Sequence, residues 1–115
     1  MPTIDPGSQL LRGALPLLVL GALAEDELYG YEISQRLGSR SRGVVAPSEG
    51  SLYPALHRLE ALGAVTATWR ASDRGPRRRY YRITERGQHL LAEQRAAWEQ
   101  FSGAVHRLAV EPAGG

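Results

Sequence analysis

Apolar side chains recur at helical spacing through the first half of the chain. The segment Leu10–Ala24 is apolar on most of its faces, which predicts a buried central helix in which Pro16 either makes a kink or starts a second segment. A short amphipathic helix is predicted over Tyr29–Gly38. A third helix is predicted over Ser48–Leu62, with the serine as its N-cap and Gly63 just beyond its end.

The apolar pattern changes to a period of two after the third helix. Apolar and polar residues alternate over 65–70 and again over 80–83, which predicts two strands joined by a turn-rich tip at 72–76. Thr84 then caps a last helix. The predicted order is three helices, a two-stranded hairpin and a final helix, so the fold class is α+β and mostly α.

The third predicted helix has two unlike faces. Its apolar stripe consists of Leu52, Ala55, Leu56, Leu59 and Leu62, and its outer face of Gly50, Tyr53, Pro54, His57, Arg58 and Ala61. Such an outer face suits a recognition helix in the major groove of DNA, although plain solvent exposure would give the same pattern. The arginine-rich hairpin that follows is typical of a wing that lies along phosphates, so we predict a winged helix-turn-helix.

Positive charge is concentrated in the predicted hairpin. The chain carries a formal net charge of +2, and all 14 of its Lys and Arg positions are arginine. Residues 69–86 hold seven arginines against Asp73 and Glu85, a local balance of +5, so the rest of the chain is slightly acidic. This separation indicates a surface for a polyanion such as DNA. A solvated surface hairpin is the alternative.

Several classes of site are disfavoured by the residues present. The chain has no Cys and no Lys, which excludes a disulfide scaffold, thiolate zinc sites, a phosphate-loop lysine and a Schiff-base lysine. His89 and Glu93 lie one helical turn apart but have no evident third metal ligand. Ser51, His57 and Glu60 lie on different sides of one helix and cannot form a triad. We therefore expect no enzyme activity, no metal and no cofactor.

The longest apolar run is too short for a membrane span. It covers Ala14–Ala24, 11 residues including a proline, whereas a bilayer needs about 20. No arginine-led leader with a cleavage site accompanies it. We expect a cytoplasmic protein without membrane association.

Three stretches resemble the PadR family of bacterial transcriptional regulators. They are LLRGALPLLVLGAL (10–23) with YGYEI (29–33), GSLYPALHRLEALG (50–63) and GPRRRYYRIT (75–84). The resemblance spans residues 10–108 and implies a winged helix-turn-helix homodimer that binds pseudo-palindromic operator DNA, usually as a repressor. The single C-terminal helix is similar to that of the smaller PadR subfamily. By this resemblance, the DNA contacts are Ser51, Tyr53, His57 and Arg58 in the helix and Arg77, Arg78 and Arg79 in the wing.

The last helix carries an apolar seam that is interrupted at Gln94. Its members follow the a/d spacing of a coiled coil: Leu91, Trp98, Phe101, Val105 and Leu108. A second copy of the chain would cover this seam most simply, although the helix could instead fold back on its own core. The predicted organisation is a mobile arm (1–9), the winged helix-turn-helix (10–84), a dimerisation helix (85–110) and a tail (111–115).

Trp98 lies in the middle of this seam. In the subfamily that the sequence resembles, a tryptophan at this place can sandwich planar and often cationic ligands, which implies a planar aromatic effector. A tryptophan that only fills the dimer core is an equal alternative. A second hypothesis for the whole chain is a winged-helix protein–protein adaptor, in which the basic surface meets an acidic partner. Loss of DNA affinity with rising salt would distinguish DNA binding from this adaptor.

Overall fold

The computed structural model describes residues 6–113, and their side chains from residue 9 onward. Four helices and a three-stranded sheet make up the fold, and the last helix ends in one π-helical turn. The elements are α1 (Pro6–Leu23), β1 (Leu28–Tyr29), α2 (Gly30–Arg40), α3 (Glu49–Ala61), β2 (Val65–Ser72), β3 (Gly75–Ile83), α4 (Glu85–Val105) and the π-turn His106–Val110.

The predicted order of elements is present, and the sheet has one strand more than the sequence indicated. The two residues of β1 pair with β3, opposite Tyr81 and Tyr80, so the strand order is β1-β3-β2. Two residues are too few to display the alternation by which a strand is detected in a sequence. The hairpin closes more tightly than predicted, since Ser72 pairs directly with Gly75.

Both prolines of the helical half lie inside continuous helices. Pro16 is within α1, so it does not start a second segment, and Pro54 is within α3, which begins at Glu49. Helix α1 begins at Pro6, so residues 6–9, which were predicted to belong to a mobile arm, are helical. A proline is well tolerated at the first helical position because its missing N–H would have no helical partner there. The rest of the predicted arm lies outside the described residues.

The core lies where α1, α2 and α3 meet the inner face of the sheet. Its fully buried large side chains are Val19, Leu20, Ile33, Leu52, Leu56, Leu59 and Val65. The predicted apolar stripe of α3 is buried except for Leu62, which is 49% exposed. Leu62 follows the last helical residue, and the chain turns away from the core at Gly63, where φ is +75°.

The start of α4 is fixed against the end of α3. The Thr84 hydroxyl donates to the Gly63 carbonyl oxygen at 2.6 Å and accepts from the Gly87 N–H at 3.0 Å, which caps α4. Leu91, one turn further, is only 3% exposed and belongs to the core. The prediction that Leu91 contributes to a dimer surface is therefore wrong, because the first turns of α4 pack on their own domain.

Beyond Leu91 the helix extends away from the domain. The molecule has principal extents of 60 × 36 × 25 Å. Four apolar side chains of the predicted seam are exposed on this extension: Trp98, Phe101, Val105 and Leu108. They are not folded back on the core of their own chain. Within residues 6–113, no helix combines the length and apolar character that a membrane span requires.

Candidate nucleic-acid interface

The outer face of α3 is exposed, as predicted. Tyr53, His57 and Arg58 all present their side chains at the surface, and Pro54 lies among them. Their opposite neighbours on the helix, Leu52 and Leu56, are fully buried, so the amphipathic pattern of α3 fixes which side faces outward.

Ser51 lies at the other end of this face, near the start of α3. Its hydroxyl oxygen is 3.2 Å from that of Ser48, the N-cap residue. Both serines line a small recess of about 210 Å³ that Arg12 of α1 also borders. Ser51 is therefore grouped with an arginine of α1, and the wing does not reach it.

The two faces of the hairpin carry different arginines. Strand register puts Arg79 directly opposite Trp69 and on the same face as Tyr81, which is buried. Because side chains alternate along a strand, Arg78 belongs to the outer face. Between Arg78 and Gly75 an extra residue in β3 interrupts the alternation, and Arg77 lies in this irregular part of the strand. The sequence had assigned all three to one role, but the structure separates them.

Arg78 takes part in an aromatic cluster on the outer face. Its guanidinium carbon is 4.6 Å from the centre of the Tyr29 ring, and that ring meets Tyr80 edge-on at 5.4 Å. Arg70 covers Tyr80 at 4.7 Å and is bonded to the carboxylate of Glu27. Cation–π contacts of this kind hold the guanidinium groups close to the sheet.

Arg79 is bound to helix α3. Its Nη2 is 2.7 Å from Oε1 of Glu60 in the last turn of α3, and its guanidinium carbon is 5.7 Å from the centre of the Tyr81 ring. Its Nε–H is sealed from solvent without a hydrogen-bond partner among the described residues. Burial raises the pKa of the Tyr81 hydroxyl, and the nearby Arg79 charge opposes that rise in part. Tyr81 is thus a neutral, buried support beneath the pair.

Helix α3 and the wing enclose a common cleft of about 360 Å³. It brings together five of the seven predicted DNA contacts, while Ser51 and Arg58 lie outside it on the helix. The lining residues are Tyr29, Gly30, Tyr53, His57, Trp69, Arg77, Arg78, Arg79 and Tyr81. Arg77 has no ion pair or hydrogen bond from its side chain to another described residue, so its charge is available to a partner.

The contacts of three residues in or beside this cleft could not be predicted from the sequence. Trp69 is one of the alternating apolar positions of β2, but the strand extends beyond the core, and the indole is exposed. Gly30 is needed because a Cβ there would lie 2.5 Å from the Tyr53 hydroxyl, which rests over the start of α2. Glu60 was weighed only as a catalytic residue. Long-range contacts of these three residues leave no periodic signal in the sequence.

A second recess of about 410 Å³ lies beside α4. Its floor is formed by apolar residues of α1 and α4, among them Leu17, Leu18 and Leu91. Arg36 and Arg40 at its border are paired with Glu25 from the turn after α1, at 3.7 and 2.5 Å.

Comparison with known proteins identifies the family of this chain. The model of the transcriptional regulator PadR-like family matches residues 19–93. Transcriptional regulator Rv3488 of Mycobacterium tuberculosis is 40% identical over 94 residues, which cover 82% of this chain and 84% of that protein. A solved transcriptional regulator from Clostridium thermocellum has a TM-score of 0.81 at 29% identity and covers 88% of this chain and 98% of its own.

A more distant structure shares the fold. Bacillus subtilis PadR, solved in complex with operator DNA, has a TM-score of 0.64 at 23% identity, over 70% of this chain and 46% of that one. The similarities confirm the predicted fold class, a mostly helical winged helix with a C-terminal helix. The chain belongs to the PadR-like family of transcriptional regulators.

Proposed function

We propose that this chain represses transcription by binding pseudo-palindromic operator DNA as a homodimer. The observation that carries the proposal is the cleft in which Tyr53 and His57 of α3 face Arg77 of the wing. An exposed helix flanked by a cationic hairpin is the arrangement that the major groove and its adjacent phosphates accept. Bacillus subtilis PadR, which shares the fold, was solved with its operator, and this supports the same docking here.

Different residues have different roles in this proposal. Arg58 and His57 are the longest polar side chains on the outer face of α3, so they are the candidates for base edges. An arginine that bonds the two acceptors of guanine discriminates against other bases by about 1–3 kcal/mol. Arg77, at the cleft, contacts phosphates and carries no sequence information. Ser51 and Tyr53 position the helix on the backbone.

The proposed homodimer is formed through the extended part of α4. Trp98 and Phe101 are 50% and 55% exposed, and Val105 and Leu108 continue the seam toward the C-terminus. Apolar side chains at this spacing are most simply covered by the same seam of a second copy. The two-fold axis of such a dimer matches the two half-sites of a palindromic operator.

A planar aromatic effector would act through the same seam. Near a two-fold axis, the Trp98 indoles of two copies would face each other, and a flat, cationic ligand could stack between them. The ligand would favour one separation of the two winged domains and so change their match to half-sites about one helical turn apart. Release from the operator would follow.

Selection from random duplex DNA tests the proposal. We expect enriched fragments with two-fold symmetry, and an affinity that falls by about 10³–10⁵ between 50 and 200 mM salt if roughly six to ten phosphates are contacted. Arg58→Ala should weaken binding to the selected site by about five- to 100-fold more than binding to random DNA. An equal loss on both would make Arg58 a phosphate contact. A chain that binds no duplex at low salt would instead favour the protein–protein adaptor.

A further inference from the structure

We infer that Glu60 and Arg79 form a positioning pair that sets the wing relative to the recognition helix, and that Arg79 does not itself contact phosphate. The inference rests on the proposed DNA binding but assigns a separate role to this pair. It is carried by the ion pair between the last turn of α3 and the middle of β3, with 2.7 Å between Nη2 and Oε1.

The pair is held in a partly enclosed environment. The side chains of Arg79 and Glu60 are 32% and 33% exposed, so water screens their attraction less than that of a fully exposed pair. The Nε–H of Arg79 is buried, and the guanidinium lies against the ring of Tyr81. To reach a phosphate, the guanidinium would have to leave a carboxylate and an aromatic contact. Arg77, nearer the tip of the same strand, has no such partner among the described residues to leave.

The hairpin has few other restraints to α3. Among residues 6–113, this pair is the only hydrogen bond or ion pair between a side chain of α3 and one of β2 or β3. The chain leaves α3 through a turn at Gly63, and the contacts of this turn restrain only the base of the hairpin. Trp69, opposite Arg79 in the ladder, is 57% exposed and lies beyond the core. Arg70 and Arg78 tie the hairpin to Glu27 and Tyr29, which lie outside α3. The direct polar link between α3 and the wing is therefore the pair of Arg79 and Glu60.

This geometry has a consequence for recognition. Arg77 lies two residues from Arg79 toward the tip of the wing, so the pair determines where the Arg77 charge falls when α3 is in the groove. A wing that moves freely would still attract phosphates of any DNA. It would no longer be held against the particular phosphates that lie beside α3 when this helix is docked at the operator. Loss of the pair should therefore reduce the discrimination between operator and random DNA and have little effect on the affinity for random DNA.

Substitution of each partner distinguishes the two roles of Arg79. If the pair positions the wing, Arg79→Ala and Glu60→Ala should each reduce the ratio of specific to random affinity, by roughly three- to tenfold, and the double variant should lose no more than either single one. On random DNA, where a freely moving wing still meets phosphates, the dependence of log affinity on log salt should keep the wild-type slope in Arg79→Ala. Glu49→Ala, which removes an exposed acid from the other end of α3, is the control for a simple change of charge.

A phosphate contact gives the opposite pattern. Arg79→Ala would then flatten the salt slope on random DNA by about 0.9, as expected for one lost contact, and Glu60→Ala would strengthen binding because it frees the arginine. That result, or an unchanged ratio in both variants, overturns the inference. Amide hydrogen exchange in residues 69–79 provides a readout without DNA, and it should be faster in both variants. If the wild-type chain binds no DNA, the proposed function fails, while the exchange result still decides whether the pair restrains the wing.

Discussion

At the scale of single residues, Gly87 shows how closely α4 approaches the end of α3. A Cβ on this glycine would lie 2.0 Å from the carbonyl oxygen of Ala64 and 2.7 Å from Cγ1 of Ile83. The first obstacle is backbone, which cannot move without displacing the junction. Gly87 is also the residue whose N–H is capped by Thr84. The contact that orients α4 therefore depends on the absence of a side chain at this position.

We expect Gly87→Ala to lower the free energy of unfolding by about 1–2 kcal/mol. Overpacking typically costs about 1–3 kcal/mol, which outweighs the gain of up to about 1 kcal/mol from replacing a helical glycine by alanine. Urea denaturation measures the difference. Gly13→Ala in α1 is the control, because its Cβ would meet nothing within 4 Å, and it should be neutral or slightly stabilising. Equal stability of the two variants would show that the junction yields more easily than its geometry indicates.

Residue contacts were the part of the structure that the sequence predicted least. Periodicity assigned Arg77, Arg78 and Arg79 to a wing, but it contains no information on Glu60, 19 residues before Arg79, or on the Tyr29 ring beneath Arg78. For the same reason, Leu91 was predicted on the seam, although its side chain is buried in the core of its own chain. Spacing shows which residues share a face, and only the fold shows what that face meets.

At the scale of elements, the sequence was more informative. The helices α1, α2 and α3, the hairpin and α4 each span enough residues to display a period, and all were predicted. The two-residue strand β1 was not. The family resemblance, confirmed by the match over residues 19–93, carried the functional prediction further than the pattern did. Because the family consists of transcriptional regulators, the expectation that the chain is not an enzyme is also confirmed.

Arginines of the hairpin inside and outside the cleft should differ in their effect on DNA binding. Arg77 lines the cleft between α3 and the wing, whereas Arg82 is exposed nearer the base of the hairpin and is not part of that lining. Arg77→Ala should weaken binding to specific and random duplexes alike and flatten the salt slope by about 0.9, the value for one lost phosphate contact. Arg82→Ala, the matched control, should leave the slope unchanged. Titrations at several salt concentrations measure both, and equal slopes for the two variants would contradict the proposed docking face.

At the scale of the whole molecule, α4 gives the chain its elongated shape. The apolar seam begins where the helix leaves the domain, so its exposure is a consequence of the same junction that buries Leu91. A monomer would leave four large apolar side chains in water along one face. Exposed patches of this kind usually mark an interaction surface. The proposed dimer thus follows from where α4 is anchored as well as from its spacing.

Trp98 and Phe101 should separate the two functions proposed for this surface. Phe101→Glu places a charge in the seam and is expected to give a monomer in sedimentation experiments, whereas Gln100→Glu, an exposed neighbour, should leave the dimer intact. Trp98→Ala should remain dimeric, because Phe101, Val105 and Leu108 still cover each other, but should lose affinity for planar aromatic cations.

Fluorescence titration measures the binding of these cations, and a Trp69→Phe background removes the second indole from the signal. In that background Trp98 is the only tryptophan of the chain, so quenching reports on the seam itself. The Trp98→Ala variant has no indole there, and its affinity is measured from the fluorescence or absorbance of the ligand. If the Trp98→Ala dimer binds the same ligands with unchanged affinity, Trp98 does not form their binding site. A variant that dissociates into monomers would assign the residue to the dimer core, because the indole would then be needed to join the two copies before any ligand is present.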